Sequence, residues 1–102
     1  MASNAVTVGA PLAPTGVTAV PGNAQATVTW TAPANNGSAI TAYVVTPFIG
    51  AAAQPATTFN STATTQTVTG LTSGTTFTFK VAAKNARGTG PQSAASNAVT
   101  PI

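Results

Sequence analysis

The sequence predicts an all-β sandwich of about seven short strands, and three observations carry that prediction. Apolar residues and threonines alternate with period two in the two clearest segments. Turn residues recur at short intervals between such segments. No apolar pattern at i, i+3, i+4, i+7 persists anywhere in a chain that holds 21 Thr, nine Gly and eight Pro among its 102 residues, so helices have nowhere to form. At this length one domain with one core is expected.

Ala26 to Thr31 places Val28 and Trp30 on a buried face and Thr27, Thr29 and Thr31 on a wet one. Phe77 to Lys84 repeats the alternation, with Phe77, Phe79, Val81 and Ala83 inward and Thr78, Lys80 and Lys84 outward. Ile40 to Phe48, carrying Tyr43, Val44 and Val45, and Thr65 to Leu71, carrying Val68, are two more strands flanked by turn residues. Val17 to Val20, the region around Thr57 to Phe59, and Ala94 to Thr100 complete the set. The turns fall at Pro21-Gly22-Asn23, Pro33-Ala34-Asn35-Asn36-Gly37, Ser73-Gly74 and Arg87-Gly88-Thr89-Gly90-Pro91. The predicted core is Trp30, Tyr43, Leu71, Phe77, Phe79 and Val81.

Composition removes most chemistry. The chain has no Asp, Glu, His or Cys, so it lacks an ordinary general base, a nucleophile–base pair and a side-chain ligand set for zinc or calcium. No enzyme activity, cofactor or metal is expected. The net charge of +3 and pI near 10.3 come from missing acids, because only Lys80, Lys84 and Arg87 are basic. Three cations release too few counterions for nucleic-acid binding. Hydration therefore falls to hydroxyls and amides, a style that points to secreted or surface-displayed modules. Met1-Ala2-Ser3-Asn4 has neither the basic region nor the apolar stretch of a signal peptide, and no run approaches the roughly 20 apolar residues of a membrane span.

Several motifs then fall in one order: Pro14-Thr15-Gly16-Val17 leading the first strand, Val28-Thr29-Trp30, Ile40 and Tyr43 opening the third strand, and Leu71-Thr72-Ser73-Gly74-Thr75 before Phe77-Thr78-Phe79-Lys80-Val81-Ala82-Ala83-Lys84-Asn85. In combination they resemble a fibronectin type III domain over about Pro11 to Pro101. The resemblance implies a seven-stranded immunoglobulin-like β-sandwich of fibronectin type III topology. It also implies a tyrosine corner where this chain has Phe77, so that the corner's hydroxyl hydrogen bond is missing.

Ala2-Ser3-Asn4-Ala5-Val6-Thr7 is identical to Ala95-Ser96-Asn97-Ala98-Val99-Thr100, 93 residues further on. That spacing is about one such module with its linker, so the chain is read as one unit of a tandem array. Residues 1–10 are the tail of a preceding repeat plus linker, and residues 11–102 are the domain. Pro11-Leu12-Ala13-Pro14 reads as a stiff extended connection. Two other origins for the first residues are a cloning scar at Ser3-Asn4-Ala5 and a strand that exchanges into the last-strand groove of a neighbouring molecule.

Lys80, Lys84 and Arg87 form a candidate weak patch for an anionic polymer, against a plainer reading as solvated charges that discourage edge pairing. Arg87-Gly88-Thr89 occupies the loop where some relatives carry an integrin-binding Arg-Gly-Asp, but without the carboxylate it reads as a turn that uses Gly88 and Gly90 for positive φ. Asn36-Gly37-Ser38 and Asn60-Ser61-Thr62 match the glycosylation pattern and read as loop residues. A Lys–Asn isopeptide bond is not expected, since no acid is present to assist it.

The expected function is a non-catalytic repeat, in the style of bacterial surface proteins, acting as a spacer or weak adhesion module of a secreted or cell-surface multidomain protein. Its partners would be neighbouring repeats and a polysaccharide or another surface protein, with no nucleic acid and no membrane, and the isolated chain would be monomeric. The alternatives are a natural or engineered binding scaffold using the loops Ala32 to Ala39 and Asn85 to Ser93, and a polymer subunit assembled by its N-terminal strand.

Overall fold

The structure is a computed structural model and describes residues 9–34 and 37–102. The first copy of the repeated hexapeptide and the residues Asn35 and Asn36 of the predicted turn and glycosylation match lie outside the described residues. Among the described residues there is no helix and there are eight strand segments: β1 (Thr15–Gly22), β2 (Gln25–Thr31), β3 (Ile40–Ile49), β4 (Ala52–Ala53), β5 (Thr57–Phe59), β6 (Thr65–Val68), β7 (Thr78–Asn85) and β8 (Gly88–Thr89). They make two antiparallel sheets. One runs β1-β2-β6; the other runs β4-β3-β7-β8, with β5 on the same edge of β3 as β4.

Side-chain alternation sets the two inner faces. Ala19, Ala26, Val28, Trp30 and Val68 of the first sheet pack against Tyr43, Val45, Phe79, Val81 and Ala83 of the second. Trp30 and Tyr43 meet at the centre with ring centroids 5.0 Å apart and planes tilted by 60°, and Phe77 lies beside Phe79 at 6.3 Å. Leu71 is partly buried at the margin of this cluster. On the outer face of the first sheet threonines fall in rows across the strands. Thr18, Thr29 and Thr65 share one register line, and the Thr29 and Thr65 hydroxyls lie 3.3 Å apart.

The closing segment departs from the expected strand over Ala94 to Thr100. Its N–H groups at Ser93, Ser96 and Val99 donate to the carbonyls of Val81, Phe79 and Phe77, so three residues of this segment span two of β7. Three residues in the length of two, about 6.7 Å at strand spacing, is a repeated bulge rather than a ladder. The serines make it workable. Each Oγ takes the β7 N–H that a strand carbonyl would have taken, with Val81 N–H donating to Ser93 Oγ at 2.9 Å and Phe79 N–H to Ser96 Oγ at 3.0 Å. Regular pairing is restored only at the bridge between Phe77 and Val99. The buried positions of the segment, Ser93, Ser96 and Val99, accordingly recur every three residues.

Candidate functional site

Lys80 and Lys84 project from the outer face of β7, four residues and therefore about 13 Å apart along the strand. The Lys80 ammonium lies 4.9 Å from the centroid of the Phe48 ring, a cation–π contact that ties it to β3. Lys84 is exposed. Between the lysines Ala82 is buried although it faces outward. The closing segment and β3 flank β7 on opposite sides, so Gln92, which donates from Nε2 to Thr46 Oγ1 at 3.2 Å, must cross β7 to do so. That crossing covers Ala82 and leaves the two lysines as separate surface cations. Arg87 lies in the tight turn between β7 and β8, where Asn85 pairs with Gly88. None of the three lines either of the two grooves described below.

The sequence marks Asn85 only as the end of a strand motif and the start of a loop, whereas the structure makes it a centre of hydrogen bonding. It is buried, and its Nδ2 donates to Gly9 O at 2.8 Å and to Ser38 O at 3.3 Å while its Oδ1 accepts the Arg87 N–H at 2.8 Å. One amide holds together the N-terminal segment, the loop before β3 and the turn after β7. The available signal was phase: Asn85 continues the inward series Phe79, Val81, Ala83. Pro11 is fully buried alongside, and a Cβ built on Gly90 would fall 1.9 Å from the Pro11 carbonyl oxygen. Gly90 is therefore required by close backbone approach. Only Gly88 of the two glycines in this loop has positive φ, at 140°, which corrects the expectation that both do.

Two surface grooves lie among the described residues. One, about 290 Å³, lies at the margin of the core between Pro47, Ile49, Pro55, Val68, Leu71 and Phe77. The other, about 490 Å³, separates Ala13–Val17 from Ser93–Ala95. Neither holds an ionisable side chain, and no group of three His, Cys, Asp or Glu occurs among the described residues. The Tyr43 hydroxyl is held above its usual pKa by burial, with the Trp30 indole N–H acting weakly in the opposite sense. That N–H is itself buried without an acceptor in bonding geometry.

The geometry agrees with comparisons to known proteins. A crystal structure of titin domains is similar at TM-score 0.79 and 28% identity, covering 89% of this chain and 32% of that one. Titin kinase with its flanking domains is similar at 0.78 and 27%, over 92% of this chain and 18% of that one, the match falling on the flanking domains. The chicken CNTN1 FN1–FN3 domains share the fold at 0.78 and 19% identity, over 89% of this chain and 33% of that one. The chain thus spans about a third or less of each of these three structures. No curated protein matches it. The family model for the fibronectin type III domain matches residues 12–99, and with the two sheets in the order found here the chain belongs to the fibronectin type III family, whose domains are typically non-catalytic modules of multidomain proteins.

Proposed function

We propose that the chain is one spacer repeat, with weak adhesion as a secondary role, in a tandem secreted or cell-surface protein of bacterial style. The observation that carries this reading is the repeated hexapeptide seen against the role of its second copy. In residues 95–100 the three docking residues are Ser96, which caps the Phe79 N–H, Asn97, which binds the backbone of Ala19, and Val99, which is buried against Phe77. Ser3, Asn4 and Val6 repeat all three at a spacing of 93 residues. A preceding module that ends on the same docking sequence explains why these residues recur together.

The hydroxyl-rich surface and the scarcity of charge support display outside the cell, and the Ala/Thr/Gly-rich style supports a bacterial source. Separate lysines fit weak, non-specific contact with an anionic polymer better than a built binding site. The loops Ala32 to Ala39 and Asn85 to Ser93 contain no Tyr or Trp and one Arg, a poor composition for a dedicated binder. The test is the natural coding sequence on either side. A fibronectin type III module upstream that ends in Ala-Ser-Asn-Ala-Val-Thr is expected, and an unrelated upstream sequence would overturn the reading.

A further inference from the structure

The chain leaves the domain at opposite poles and is fastened at both. At the first pole Gly9 O accepts the Asn85 amide, Pro11 is buried against Gly90, and the Leu12 N–H donates to Ala34 O at 3.1 Å. At the second pole Pro101 is fully buried and its carbonyl accepts the Gly74 N–H at 2.9 Å. Ile102 donates its N–H to Gly22 O at 2.8 Å and accepts the Ala24 N–H at 3.0 Å and the Ser73 hydroxyl at 2.9 Å. Ala24 is set for this by a left-handed backbone, φ 55°, and its own carbonyl accepts the Leu71 N–H at 2.9 Å.

We infer that consecutive repeats are joined without slack, the second pole of one module seated directly on the first pole of the next. The inference rests on the tandem reading. With a 93-residue pitch, Ile102 of one repeat stands where Gly9 stands in the next. One residue, the equivalent of Ala10, then separates Ile102, tied to the first module, from a Pro11 buried in the second. Two Cα steps reach about 7 Å at most, which leaves no room for a flexible tether. The carbonyl at this shared position is claimed from both sides, by Ala24 and Ser73 of one module and by the Asn85 amide of the next. Ala24 and Ser73 already take the two lone pairs of that carbonyl, so at a join the Asn85 amide must compete with them for it, which sets the two poles against each other at this one residue.

Side-chain exposure supports the same contact. Leu12 is 54% exposed and Ile102 is 77% exposed, two of the four exposed large hydrophobic residues among the described ones. They lie at opposite poles of one module, yet in a joined pair they fall three residues apart. The partner that fits each pole is the opposite pole of a second copy, with an apolar contact at its centre and no opposing charges to arrange.

The experiment is a two-module protein in which Ile102 is followed directly by residues 10–102. The chain has no cysteine, so Thr67→Cys in each repeat, on the exposed outer face, gives two unique spin labels. Pulsed dipolar spectroscopy is expected to show one narrow distance population, and a Gly-Ser-Gly-Ser insertion between Ile102 and Ala10 is expected to broaden it at least twofold. A native join as broad as the inserted one would overturn the inference. Leu12→Asp with Ile102→Asp at the join is expected to broaden the distances while the module melting temperature holds, and an unchanged narrow population would overturn the apolar seal. Small-angle scattering of the unlabelled pair gives the same comparison should labelling disturb the fold. An upstream gene sequence without a second module would remove the tandem reading while leaving the measured stiffness of the join intact.

Discussion

The Asn97 side chain pairs with the backbone of Ala19 as a neighbouring strand would, its Oδ1 accepting the Ala19 N–H at 2.9 Å and its Nδ2 donating to Ala19 O at 3.0 Å. One amide thereby links the closing segment of the second sheet to the edge of β1 in the first. Asn97→Ala is expected to destabilise the domain by about 1 to 2 kcal/mol, since a part-buried N–H and C=O lose their partner together. Chemical denaturation of the two proteins measures it, and a variant within a few tenths of the parent would show that water replaces the amide without loss.

Stability should be flat between about pH 4.5 and 7, because no side chain in the sequence titrates in that window. Tyr43 changes this at alkaline pH. Its folded pKa is raised by burial, so the folded state holds the phenol proton after the unfolded chain has released it. The stabilisation is complete below the ordinary tyrosine range, near pH 10, and is lost as pH climbs through that value towards the folded pKa. Melting curves across pH should therefore turn down above about 10, and Tyr43→Phe, which removes the only tyrosine, should make that decline shallower.

Phe77→Tyr should be neutral or stabilising by up to about 1 kcal/mol, the worth of one hydrogen bond. Phe77 is buried, yet it also lines the 290 Å³ groove beside Leu71 and Thr72, which offers the new hydroxyl a polar margin. Clear destabilisation in a thermal melt would show that the corner is packed tightly around an apolar ring.

Removing residues 1–8 should leave both stability and monomeric mass unchanged, because residues 95–100 already fill the groove that the duplicate would occupy. Light scattering distinguishes this from strand exchange, in which the same deletion would dissolve oligomers. Deletion through Leu12 is a different matter. It strips the Asn85 amide of Gly9 and uncovers Gly90, and a loss of about 1 to 3 kcal/mol is expected. Gly90→Ala should act in the same direction by driving the Pro11 carbonyl away.

The two sheets were legible because their residues obey a local rule: Val28 and Trp30, or Phe79 and Val81, alternate with outward Thr or Lys, and period two fixes their face without reference to anything distant. Where a distant residue decides the outcome, local rules fail. Ala82 looks outward and is nevertheless buried, because Gln92 passes over it from another segment. Gly90 looks like a turn glycine and is instead needed by Pro11, 79 positions earlier. The three cations were legible as composition, and period two put Lys80 and Lys84 on one face of β7, but the contact of Lys80 with Phe48 was not legible because it depends on β3 lying beside β7.

The three-for-two register of the closing segment has a consequence for life in an array. Neighbouring repeats hold similar sequences at very high local concentration, the setting in which sheets borrow strands from one another. β7 presents its N–H groups at Phe79 and Val81 at period two, as any strand does, so a competing strand would have to displace residues 93–99, whose serine hydroxyls already occupy both groups. Slipping the native segment by two, the step that keeps a normal strand on its correct face, would put Ala94 where Ser96 belongs or Ala98 where Ser96 belongs, according to direction. The native segment is thus keyed to one register by its own serines, and it keeps the β7 N–H groups covered in a molecule with almost no charge available to repel a competing strand.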